Sequence, residues 1–151
     1  MARHDHGFTL TELAVVSAVL AVLIAIASGV FLGAKQKAQE VGAQATLREA
    51  IIAGALVLDA NGGAVPPQAA LSAELATVEP DITWKQPDTH ADTGEVSTSA
   101  GIDHIMFASG SSAGDCHYAR LELDGTFLKH RTPAAVCRAV DTSGISEWLG
   151  W

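Results

Sequence analysis

The chain has 151 residues, with 17 Asp and Glu against 9 Lys and Arg and a formal net charge of −8. That length holds one modest domain, and the acidic balance repels phosphate backbones, so nothing supports nucleic-acid binding as the main activity. Only two cysteines occur, Cys116 and Cys137. They lack CxxC or Cys/His spacing suited to zinc, which makes a single disulfide the simpler reading and two buried thiols the alternative.

Residues 1–7 form a short polar leader, and residues 13–34 then run without a charge. At roughly 1.5 Å per residue those 22 or so positions reach about 33 Å, enough for a hydrocarbon core of about 30 Å. Beyond Lys35 the pattern stays helical but turns amphipathic. Leu47, Ile51, Ala55 and Leu58 make a stripe that Ile52 and Leu56 widen, with Gln36, Glu40 and Arg48 polar. One helix over about 9–59 follows, ended by Asn61-Gly62-Gly63 and by Pro66-Pro67, which forbid its continuation.

The remainder reads as a small α+β head. A short helix is expected at 68–78, and Trp84 marks a weak strand. The polar stretch 87–101 reads as loop, 103–108 as a strand, and 118–123 and 126–130 as strands flanking Asp124-Gly125, a strong hairpin signal. The sheet should be small and antiparallel, with three or four strands. The expected organisation is a leader (1–7), a membrane or core half of the helix (8–34), an amphipathic half (35–61) and a globular head (62–151).

Gly7-Phe8-Thr9-Leu10-Thr11-Glu12-Leu13, followed directly by the apolar run, resembles the prepilin-peptidase recognition sequence of type IV pilins and related pseudopilins. A glycine, an aromatic residue, a carboxylate five residues past the glycine and then a spanning helix carry the likeness. The resemblance implies cleavage between Gly7 and Phe8, N-methylation of Phe8, and contact of Glu12 with the Phe8 amine of a neighbouring subunit during assembly. An ionised carboxylate in lipid typically costs around 3 kcal/mol and seeks a partner, which gives that contact a physical reason. Thr9-Leu10-Thr11-Glu12 also has the T-x-x-E pattern of a capping box. The two roles are compatible.

Two other readings share this segment. Ala25-Ile26-Ala27 offers an A-x-A signal-peptidase site before Ser28, although Arg3 against Asp5 and Glu12 is a poor charge balance for that route. A plain single-span anchor is the other. Lys35 and Lys37 outnumber Arg3, so positive-inside counting places the head in the cytoplasm, whereas the cysteines and the cleavage motif place it outside. The latter signals are the more specific.

Ala21, Ala25, Gly29 and Gly33 recur every fourth position, a small-residue stripe that lets helices approach closely in an apolar medium. No proline precedes Pro66, where many type IV pilins have one, so any bend would arise at Ser28-Gly29 or Gly33. Cys116 and Cys137 bracket the hairpin and resemble the C-terminal disulfide loop of many pilins. Asp88, Asp92, Glu95 and Asp103 could offer oxygen ligands as in some pseudopilins, but they miss the EF-hand pattern and read as solvated loop carboxylates. His90, His104, His117 and His130 are scattered, and no metal is expected. The apolar ending 145–151 suits packing on the head or a neighbour.

There is no P-loop and no H-E-x-x-H, and neither an enzymatic activity nor a cofactor is expected. The resemblance implies a filament subunit that starts in the inner or cytoplasmic membrane and ends in an extracellular homopolymer. Its partners would be the prepilin peptidase and methylase and the pilus assembly machinery. Motility, adhesion and secretion roles, and the rival of an anchored module that never polymerises, stay open at this point.

Overall fold

The computed structural model describes residues 9–142, 145 and 147–150. The chain divides into two units, Met1–Gln36 and Lys37–Trp151. Helix α1 spans Leu10–Ala60, and its hydrogen bonding continues through Ser28, Gly29 and Gly33. Ser17 Oγ donates to the Leu13 carbonyl at 2.8 Å and Ser28 Oγ to the Ile24 carbonyl at 2.7 Å. Both hydroxyls are therefore satisfied inside their own helix, as an apolar surrounding requires.

The end of α1 is a Schellman motif. The Gly63 N–H reaches the Leu58 carbonyl at 2.8 Å and the Gly62 N–H the Asp59 carbonyl at 3.1 Å. Gly62 and Gly63 have φ of 68° and 81°, the left-handed backbone that a side chain resists. Helix α2 covers Gln68–Val78, as the sequence predicts. The Gln68 side chain then acts as a piece of strand, its Oε1 accepting the Ala100 N–H at 2.6 Å and its Nε2 donating to the Thr98 carbonyl at 3.2 Å.

The sheet is larger than expected. Strands β1 (Thr83–Lys85), β2 (Glu95–Ala100), β3 (His104–Gly110), β4 (Asp115–Glu122), β5 (Phe127–Pro133) and the two-residue edge β6 (Leu149–Gly150) lie in sequence order. Only β1 and β2 are parallel. Five strands plus a short edge thus replace the three or four expected. The stretch read as loop supplies β2, whose polar face is buried but satisfied. Ser97 Oγ donates to the Gln86 carbonyl at 2.9 Å and accepts the Ala139 N–H at 3.1 Å.

The hairpin at Asp124-Gly125 forms, but with a three-residue loop. Glu122 N–H bonds the Thr126 carbonyl at 2.8 Å, and Gly125 alone has positive φ, 82°. A two-residue type I′ turn would need positive φ at both central positions, and Asp124 does not adopt it.

Within residues 37–151 the apolar face of α1 is buried against the sheet. Ala43, Leu47, Ala50, Ile51, Gly54, Val57 and Leu58 are buried, whereas Ala55, Ile52 and Leu56 from the expected stripe are exposed. The helix comes close to the sheet at Gly54, where a Cβ would lie 2.7 Å from Phe107 Cζ and 3.1 Å from Leu121 Cδ2. Phe107 is fully buried in the same core, so it has little room to yield.

The opposite sheet face carries a second apolar cluster around the disulfide Cys116–Cys137, whose Cα atoms are 5.3 Å apart. His90 secures this loop. Its Nδ1 accepts the Cys137 N–H at 2.8 Å, which leaves Nε2–H to face Asp92 Oδ1 at 3.2 Å.

Two outcomes follow from this packing. Gly54→Ala should lose about 1–3 kcal/mol by overpacking, while Gly42→Ala, with nothing within 4 Å, should gain up to about 1 kcal/mol from helix propensity. Denaturant unfolding in detergent followed by near-UV circular dichroism checks the pair, and a stabilised Gly54→Ala protein contradicts the close approach. In the same assay His90→Leu should cost about 1–3 kcal/mol with the disulfide intact, because the buried Cys137 amide loses its acceptor.

Candidate processing and assembly site

The two residues that define the expected cleavage and methylation point, Gly7 and Phe8, lie outside the described residues. Description begins at Thr9, the N-cap of α1, and the capping box is formed. Glu12 Oε2 accepts the Thr9 N–H at 2.9 Å and the Thr9 hydroxyl at 2.7 Å, while Thr9 Oγ1 receives the Glu12 N–H at 3.3 Å. This reciprocal arrangement satisfies donors that a helix start otherwise leaves unpaired.

Directly after the cap the helix is apolar on every side. Leu13, Val15, Leu20, Leu23, Ile26 and Phe31 are each more than half exposed, and this is the stretch of α1 long and apolar enough to cross a membrane. Soluble monomers rarely leave so continuous an apolar surface open, and it is consistent with membrane insertion. Ala25, Gly29 and Gly33 lie along this segment, and a Cβ on either glycine would meet nothing within 4 Å.

The other candidate residues do not converge. Glu95 takes the Asp92 N–H at 3.2 Å and pairs with Lys85 at 3.1 Å, and the Asp92 amide is the main reason its carboxyl lies below the usual range. Asp103 is held low chiefly by His104, 2.7 Å away. Asp103, His104 and Glu122 do come within 4.8 Å of one another, but Arg120 Nε lies 2.6 Å from Glu122 Oε1 and occupies that carboxylate. His90 serves the disulfide loop, and His130 Nδ1 donates to the Glu147 carbonyl at 2.9 Å. His117 is buried.

One catalytic signature is easily passed over in the sequence. Gly110-Ser111-Ser112-Ala113-Gly114 fits G-x-S-x-G, whose serine must sit on a strand-to-helix elbow to act as a nucleophile. Here the segment joins the antiparallel strands β3 and β4, and Gly114, at φ 92°, closes the loop. The elbow geometry is absent at this position.

Residues 2–28 match the family model described as the prokaryotic N-terminal methylation motif. No curated protein and no solved structure matches the chain. The motif implies processing by a prepilin peptidase and pilus-type assembly, and with the apolar helix it is consistent with membrane insertion. A capped, apolar N-terminal helix and an α+β pilin-like head thus stand behind a methylation motif, and the chain carries the class III signal of type IV pilin-like proteins.

Proposed function

We propose that this chain is a structural subunit of a type IV pilus filament. It is inserted in the inner or cytoplasmic membrane as a prepilin, cleaved after Gly7, methylated on the Phe8 amine and polymerised through α1 into an extracellular homopolymer. The observation that carries this reading is the helix beyond Glu12, apolar all round and with its side chains exposed among the described residues. A permanent bilayer anchor explains that surface equally well, but it leaves the methylation motif without a use. Copies of the same helix supply both an apolar cover and, at Phe8, a cation for Glu12.

On this reading Ala25, Gly29 and Gly33 are sites of close helix approach, where backbones pack without a side chain between them. The head contributes folding stability through its disulfide, which closes a loop of 21 residues. In the chain-entropy account such closure stabilises by about 3 kcal/mol. No enzymatic activity, cofactor or nucleic-acid partner is assigned.

Mass spectrometry of the natively expressed protein should find methyl-Phe8 at the mature N-terminus, and electron microscopy should find fibres made chiefly of this chain. An intact Met1 on a non-associating membrane protein overturns the reading. A short periplasmic assembly tied to protein export replaces it with a pseudopilin. Glu12→Leu should be processed normally yet lose fibres by roughly tenfold or more, the scale of one unpaired charge in an apolar bundle. Thr9→Ala, which removes only the hydroxyl of the cap and costs about 1 kcal/mol at the helix start, should keep them.

A further inference from the structure

The sheet face that meets α1 changes character along its length. Strand alternation puts Phe107 and Leu121 on that face, and with them Ser109 and His117, which the register sets opposite one another and in line with Arg131. At Gly54 the helix packs directly on Phe107 and Leu121. Nearer Glu40 the same contact is polar and less filled. A cavity of about 210 Å3 opens there, with Gln44 and Leu47 of α1 on one side and His117, Lys129 and Arg131 on the other.

Ser109 and His117 are buried, and neither Ser109 Oγ nor His117 Nε2 has a hydrogen-bond partner. Buried polar atoms are nearly always bonded, and each one that is not weakens the contact that hides it. At His117 that weakness depends on pH. The neutral ring leaves a lone pair at Nε2, whereas the cation carries a hydrogen on both nitrogens, and among the described residues no acceptor meets Nε2. Burial is the main influence on the ring and pushes it below its usual value. Asp115 on β4 and Glu40 on α1 favour the cation, but Arg131 on β5 opposes it and lies 3.0 Å from Glu40 and 3.8 Å from Asp115. Lys129 and His130 of β5 are the other titratable groups along the cavity, and Ser109 of β3 and Leu149 of β6 bring no charge.

We propose that His117 makes this end of the α1 contact an acid-sensitive clamp, whose protonation loosens residues 40–47 from β4 and β5 while the turns around Gly54 stay closed. Opening returns the imidazole to water and to its ordinary value of 6.5, above that of the closed form. The open form therefore takes up more protons, so the clamp is complete above that value and weakens as the pH falls through it. The device lies within residues 37–151 and does not depend on filament assembly.

Hydrogen exchange of the full chain in phospholipid nanodiscs, read by mass spectrometry as protection relative to an unstructured peptide at the same pH, tests this. From pH 7.5 to pH 5 protection across residues 41–48 should fall roughly tenfold, the scale of one linked proton, while residues 51–58 keep theirs. The 1H–13C signals of the His117 ring in the same preparation should titrate below the ordinary value. His117→Gln, which takes up no proton, should hold the protection of 41–48 constant over that range, with native circular dichroism at pH 7.5. Unchanged protection in the wild-type chain overturns the proposal, as does equal loss in both segments or the same loss in His117→Gln, which moves the switch to another group. A His117 ring that titrates at or above the ordinary value overturns it whether or not the variant folds.

Discussion

The constraint behind this molecule is an apolar helical surface that stands exposed among the described residues. From Leu13 onward the first half of α1 is hydrophobic around its whole circumference, and its large side chains stand about half exposed or more. At about 25 cal/mol per Å2, each such side chain fully covered is worth on the order of 1.5–3 kcal/mol. Lipid, or on the proposed assembly other copies of the helix, would supply that cover. Its polar atoms are arranged accordingly, with Ser17 and Ser28 bonded back into the helix and the first turn closed by a capping box.

The second half of the same helix follows the opposite rule. Small residues on its buried face, Ala43, Ala50 and Gly54, bring the backbone close to the sheet, and Phe107 fills the space where a Gly54 side chain would sit. A helix that approaches a sheet this closely fixes the strands beneath it. Arg131 on β5 reaches Glu40 on α1 at 3.0 Å, and β3 and β4 carry the disulfide cluster on their other face. Close packing on one side and a covalent loop on the other leave the central strands little freedom, which suits a head of this size with few aromatic residues.

Much of this was legible in the residues. Left-handed glycines after Asp59, the α2 span, the hairpin at Asp124-Gly125 and the T-x-x-E box are local signals, decided within a few residues, and each forms. What escaped depends on distant partners. Strand β2 reads as loop because Glu95 to Ala100 is polar, and partners such as Gln86, Gln68 and Ala139 are needed to show how its hydroxyls and amides are satisfied. The buried stripe of α1 reads correctly at Leu47, Ile51 and Leu58 but too broadly at Ala55, Ile52 and Leu56, because large side chains outweigh small ones in such a pattern. Ile52 and Leu56 drew attention, while the informative position was Gly54, a helix-weakening residue in mid-helix that close approach alone explains. The role of His90 required Cys137, 47 positions away. Gly7 and Phe8, at the expected cleavage point, rest on the motif at residues 2–28.

Glu12 joins the local and the distant kinds of information. Both of its short contacts with Thr9 fall on Oε2, and among the described residues Oε1 takes no further bond. Contacts within one helical turn are indifferent to what surrounds the helix, so they persist when lipid is exchanged for protein. A partner cation therefore adds to the cap instead of competing with it. Because the cap also fixes the carboxylate along the helix axis, the position of such a cation is fixed too. On the proposed assembly, that is how a smooth apolar rod, which could otherwise slide against its copies at little cost, acquires a single register.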